Sequence, residues 1–371
     1  MVNQDRLVEL FMDLVTIDSE TRNEREMADR LKKELSELGF EVEEDNAGEK
    51  IDGNAGNVIG TLKGNADAPS LMLSAHMDRV SPGNGVEPVL EDGVISSKGE
   101  TILAADDIAG VAAILEAIKI IKEEDAKHGE LKILFTVAEE GGLNGSKNVD
   151  PKIIKADYGV CYDSSGDVGT IVVQGPAQYR FNAVIKGKAA HAGVAPSDGV
   201  NAIKATSLGI SEMKLGQIDE ETTANIGVIK GGQATNIVPD RVELEGEARS
   251  RNRDSLEEQV AHMKDILEKA CKQVGAEAEI ETELMYPSFN FDGDHVLVKM
   301  AEKAAQAIGI ETELVPSGGG SDANIINGYG IPTINLGIGM ENVHSVDEYI
   351  SVDNLVNTAK YTVSMIKTTA E

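Results

Sequence analysis

The chain has 371 residues, with 64 Asp and Glu against 34 Lys and Arg, and a formal net charge of −30. That length calls for at least two domains, and 41% hydrophobic with 26% charged residues is the balance of an ordinary globular protein. The charge excludes nucleic acid as a partner, since a phosphate backbone needs a basic surface, and no apolar run is long enough for a membrane span.

The first eleven residues are charged and amphipathic rather than a signal peptide. Cys161 and Cys271 make no disulfide framework, so a reducing cytoplasm is the expected compartment. Leu7, Leu10, Phe11 and Leu14 mark one helix, and Met27, Leu31, Leu35 and Leu38 mark a second that Gly39 closes. Residues 40–43 and 57–62 read as strands around a Gly- and Asn-rich turn. Residues 71–78 follow as an apolar strand ending in His76 and Asp78, with a Gly/Pro loop at 81–85. Ile108, Val111, Ala112, Leu115 and Ile118 give a helical face, and 131–138 and 158–162 are buried strands. Strands alternating with helices imply a mixed, mostly parallel sheet flanked by helices, with ligands outside the carboxyl ends of the strands.

After Gly175-Pro176 the pattern changes. Strand 178–185, helix 201–213, strands 223–229 and 241–248, helix 255–274 and strand 278–284 follow the order βαββαβ of a ferredoxin-like α+β domain. Asp254 or Ser255 is the expected cap of the longer helix. This places one domain at 1–176 and 291–371, and a second, inserted, at 177–290. The first resumes with a helix at 295–308, a Gly-rich turn and strand 333–336.

Charged residues gather at the strand ends. Residues i and i+2 of a strand share a face, so His76 and Asp78 can act together, although such a pair is often incidental surface chemistry. Asp106-Asp107 at a helix mouth reads equally as an N-cap or as metal ligands. Glu139-Glu140 are like charges that, if enclosed, need a cation or a proton. Of six histidines, His128 and His262 read as surface residues and His295 as a helix start, which leaves His76, His191 and His344.

The ordered set Ser74-Ala75-His76-Met77-Asp78, Ala105-Asp106-Asp107, Ala138-Glu139-Glu140-Gly141, Asp163, Gly187–Gly193 around His191, and His344 resembles the co-catalytic zinc exopeptidases of the peptidase T type. That group is itself similar to carboxypeptidase G and the aminoacylases. The resemblance runs over nearly the whole chain and implies the zinc exopeptidase fold with an inserted lid. It implies two zinc ions per subunit, one held by His76 and Asp163, the other by Glu140 and His344, with Asp106 bridging and a cis peptide after it. Asp78 would fix the His76 imidazole, Glu139 would be the general base, and His191 would donate to the oxyanion, in relatives often at a neighbouring subunit's site. Arg249, with Arg251 as a rival, would bind a substrate carboxylate, and Asn236 and the Gly318-Gly319-Gly320-Ser321-Asp322 run would line the site. The interval from Asp78 to Asp106 is shorter than in peptidase T proper, and 336–344 lacks that enzyme's aromatic, so strict tripeptide preference does not follow.

The implied function is an aminopeptidase that releases the N-terminal residue of tripeptides, with a small peptide as partner and a homodimer through the lid as the assembly. The alternatives are a carboxypeptidase or N-acyl-amino-acid deacylase of the same fold, or a non-catalytic metal- or peptide-binding protein. No Gly-x-Gly-x-x-Gly follows the first strand, which argues against a dinucleotide enzyme.

Overall fold

The computed structural model describes residues 1–371, which divide into two compact units. The first comprises Met1–Val173, Phe291–Ser317 and Ser321–Glu371, the second Gln174–Asn290 with Gly318–Gly320. The Gly-rich run is thus shared between them, since a Cβ at Gly320 would lie 2.3 Å from the Tyr286 ring, which the second unit carries.

Four parallel strands centre the first unit, in the order Leu131–Thr136, Leu71–His76, Tyr158–Ser164 and Thr333–Gly337. They are short and apolar because both faces are covered; every residue of Leu71–His76 is buried. Val58–Leu62 adds antiparallel on one side and Thr170–Gly175 on the other, so the sheet is parallel in the middle and antiparallel towards its edges. Helix Ala105–Glu123 is apolar on nearly all sides and almost wholly buried, whereas Gln4–Val15 and Arg25–Glu37 bury a single stripe. Helix Val352–Thr369 also packs into this core. A small antiparallel sheet combines Pro88–Glu91, Val94–Ser97, Met340–Glu341 and Tyr349–Ser351. Its 342–348 turn carries His344.

In the second unit the strands Ala177–Lys186, Thr222–Gly231, Arg241–Ser250 and Glu277–Tyr286 pair antiparallel in the spatial order second, third, first, fourth. Helices Ala202–Glu212 and Arg253–Val274 supply the apolar stripe that covers Phe181, Ile185, Val242 and Leu244. The longer helix is capped by Asn252, whose side chain accepts from the Asp254 and Ser255 N–H groups, rather than by either of those residues. The expected caps are the first residues that the true cap serves. No helix is long and apolar enough to cross a membrane.

Candidate metal centre and active site

The acids expected at the strand ends meet at the carboxyl edge of the parallel strands. His76 ends its strand with its Nε2 3.0 Å from Asp106 Oδ1. The other oxygen of Asp106, Oδ2, lies 3.1 Å from Nε2 of His344, which is itself 2.6 Å from Glu140 Oε1. One carboxylate therefore presents an oxygen to each of two histidines. Ligand atoms of His76, Asp106 and Glu140 all lie within 4.8 Å of one another, the span of a metal-binding group. Asp163 belongs to the same field, since the charges of Asp106 and Glu140 add to burial in pushing its carboxyl well up.

The backbone around these residues is strained, and buried carboxylates hold it. Ala104, Ala138 and His344 all have left-handed φ, at 63°, 48° and 63°. For residues with a Cβ, such conformations cost about 1–3 kcal/mol each and need support. Glu348 supplies it for Ala104: its carboxylate accepts from Leu103, Ala104 and Asp106 N–H at 2.9, 2.8 and 3.1 Å. Glu24 supplies it for Ala138, whose N–H it accepts at 3.1 Å, beside that of Arg22 at 2.7 Å. The peptide between Asp106 and Asp107 is cis. Gly110 leaves room for this helix start, because a Cβ there would come within 2.3 Å of Asp107 Oδ1.

Asp78 acts on more than the imidazole. His76 Nδ1 is 2.9 Å from the main-chain carbonyl of Asp78 but 3.6 Å from its carboxylate Oδ1, so the main-chain oxygen is the nearer partner. The carboxylate instead accepts from Glu139 N–H at 2.8 Å, Glu140 N–H at 3.3 Å and Thr21 Oγ1 at 2.8 Å. It fixes the two glutamates as much as it fixes the histidine.

The electrostatics are those of a site that wants a cation. Burial opposes protonation of His76, yet the bonded Asp106 carboxylate and the nearby Asp78 carboxylate raise it well above an ordinary imidazole. Asp106 and Glu140 together lift His344 to about 10. Burial, reinforced by Asp163, pushes Glu139 well up, and burial also raises Asp107 and Asp322. In the bare chain, protons supply the positive charge that like-charged carboxylates require. Two imidazoles and several carboxylates form a donor set suited to zinc.

The sequence pattern of peptidase family M20/M25/M40 matches residues 72–368, from the His76 strand to the last helix. The chain belongs to this family. It is 50% identical to the uncharacterized protein YqjE of Bacillus subtilis strain 168, over the whole of both chains. Its structure is similar to the crystal structure of aminopeptidase PepT from Bacillus cereus ATCC 10987, with a TM-score of 0.95 and 47% identity over all of both chains. A tripeptidase from Staphylococcus aureus subsp. aureus Mu50 gives a TM-score of 0.96 at 43% identity, covering 100% of this chain and 99% of that one. The M20 chain is a peptidase.

The remaining expected residues fall in the second unit. His191 is exposed, and its Nδ1 accepts from the Gly193 and Val194 N–H groups, both at 3.2 Å. The ring proton is therefore on Nε2, which is free to donate. Asn236 adjoins it, its carbonyl accepting from Ala192 N–H at 2.9 Å. Arg249 lies apart from this pair and is engaged by Glu247 at 2.9 and 3.0 Å, while Arg251 bonds the Glu220 carbonyl. Gly319 is exposed, next to the Gly320 that packs on Tyr286. Sequence reasoning missed Glu348, Glu24 and Thr21. It named Asp322 only as part of a Gly-rich run, yet this buried acid accepts from the Thr136 and Ser146 hydroxyls, both at 2.5 Å.

Proposed function

We propose that this peptidase is a two-zinc aminopeptidase that releases the N-terminal residue of tripeptides. The observation that carries the reading is Asp106, which turns one carboxylate oxygen to His76 and the other to His344. That is the disposition of a bridging ligand, with Asp163 and Glu140 as the remaining acid on either side. The similarity to an aminopeptidase and a tripeptidase at 47% and 43% identity supports the substrate class.

Bound zinc would lower the pKa of a water and polarise the scissile carbonyl. The chain's own residues do the rest. Glu139, buried and with its carboxyl pushed up, takes the proton of the attacking water and returns it to the leaving amine. Asp78 holds the Glu139 and Glu140 main chain, so base and ligand keep their spacing. His191 donates from Nε2 to the developing oxyanion, and Arg249 takes the peptide's C-terminal carboxylate. The second unit serves as the lid and as the surface of a homodimer.

The test is hydrolysis of free and N-acetylated tripeptides by zinc-loaded protein. Release of the N-terminal residue from the free peptide is the expected result. Cleavage of the blocked peptide alone would replace the aminopeptidase with a deacylase or carboxypeptidase of the same fold.

A further inference from the structure

Arg249 ends the strand Arg241–Ser250, and Glu247, two residues earlier, shares its face. The guanidinium already grips a carboxylate: Nε and Nη2 reach the two oxygens of Glu247 at 2.9 and 3.0 Å, a parallel two-bond fork. Gln178 sits directly across the sheet from Arg249 and donates its side-chain amide to the same Glu247 carboxylate. Tyr286 pairs with Gln178 on the next strand, and Gly320 lies so close to its phenol that a Cβ there would be 2.6 Å from Oη. An arginine and an amide thus hold one carboxylate, with a phenol in electrostatic range of the arginine, and that carboxylate belongs to the chain.

We infer that Glu247 is a specificity-determining residue which occupies the Arg249 carboxylate receptor until a peptide's C-terminal carboxylate displaces it. This rests on the reading of Arg249 as the substrate-carboxylate arginine. Displacement is feasible because the pair is partly solvated, with side-chain exposures of 30% and 35%. Ion pairs of that exposure stabilise by a factor of about five at most, and a displaced Glu247 can turn to water. A substrate carboxylate forms the same fork, so a free-acid peptide bears the displacement cost and a C-terminally amidated one does not.

The test is steady-state kinetics of zinc-loaded parent, Glu247→Gln and Glu247→Ala on one tripeptide as free acid and as C-terminal amide, with a thermal melt of each variant. The expected result is a KM for the free acid that falls about two- to fivefold in both variants, with a smaller change for the amide. The Gln variant keeps the side chain's size, so a poorly folded Ala variant would still leave the comparison readable. A KM that stays level or rises would overturn the inference, because Glu247 would then orient Arg249 rather than mask it. If the two variants, with Glu247 no longer competing, still cleave acid and amide equally well, the Arg249 assignment falls, and this inference with it. Discrimination in the parent with no KM shift in the variants removes only the masking.

Discussion

Two carboxylate clusters in the first unit show opposite solutions to the same problem. At Glu44, burial would raise the carboxyl, but Arg25 at 2.7 and 2.9 Å, Gly56 N–H at 3.0 Å and Lys32 at 2.6 Å hold it down at about 2. At the candidate metal centre the ion pairs that reach Asp106 and Glu140 come from histidines, and Asp107, Glu139 and Asp163 are all pushed up, burial being the first cause. The first cluster is complete as folded and serves stability. The second carries an excess of negative charge that the protein alone relieves only with protons, and that incompleteness marks it as the functional one. Glu24 lies between these cases. It is fully buried and accepts two backbone N–H bonds through Oε1, yet burial pushes it up to about 7.

The sharpest way to break this contrast is Glu139→Gln. Loss of a general base lowers rate by about 10²–10⁴-fold. The variant is expected to lose kcat on that scale in a tripeptide assay while metal content per chain stays at the parent's value. Unchanged kcat would remove Glu139 from the chemistry. Asp78→Ala comes next, with an expected loss of about 10–100-fold in activity or metal affinity, the usual effect of removing a partner that positions ligands. An isothermal titration with zinc, beside the kinetics, separates the two.

The smaller effects concern stability, and their signs are opposite. Glu24 has a raised folded pKa, so its contribution is fully present below the unfolded value near 4.5 and is lost as pH rises through about 7. Glu24→Gln in metal-stripped protein is expected to match the parent at pH 4.5 and to exceed it above pH 7 by up to about 3 kcal/mol, read from urea melts. Equal stabilities at pH 8 would contradict the proton-holding role. Glu44 has a depressed folded pKa, so its contribution is present above 4.5 and fades as pH falls towards 2. Glu44→Gln is expected to cost about 1 kcal/mol at pH 7, with the gap to the parent narrowing below pH 4.5. A gap that widens on acidification would show that the cations there are paired elsewhere.

What could be read from the sequence follows from how local each signal is. His76, Glu139 and Asp163 stood out because each lies at or just past the end of a short apolar strand, and the strand end alone points to the carboxyl edge of the sheet. His344 has no such context. It lies in a turn between two strands of two and three residues; elimination among six histidines left it as a candidate, and only the resemblance gave it a ligand role. Glu348 and Glu24 were illegible because their partners are tertiary: Glu348 reaches Ala104, 244 positions away, and Glu24 reaches Ala138, 114 away. The hairpin Pro88–Ser97 and the five-residue helix Ala47–Ile51 passed unnoticed because each is too short to show a period. The Asp78 carboxylate was assigned to the imidazole, whereas its nearest bonds go to the main chain of Glu139 and Glu140 and to Thr21, which no spacing rule connects.

Completion of the acid cluster by two metal ions, as proposed, makes peptidase activity depend on both. Metal content per chain, measured during stepwise chelation and zinc restoration alongside tripeptide hydrolysis, tests it most directly. Two zinc ions per chain, loss of hydrolysis as they are removed, and recovery as they return are the expected results. Full hydrolysis by metal-stripped protein, or full activity with a single ion per chain, would contradict that dependence.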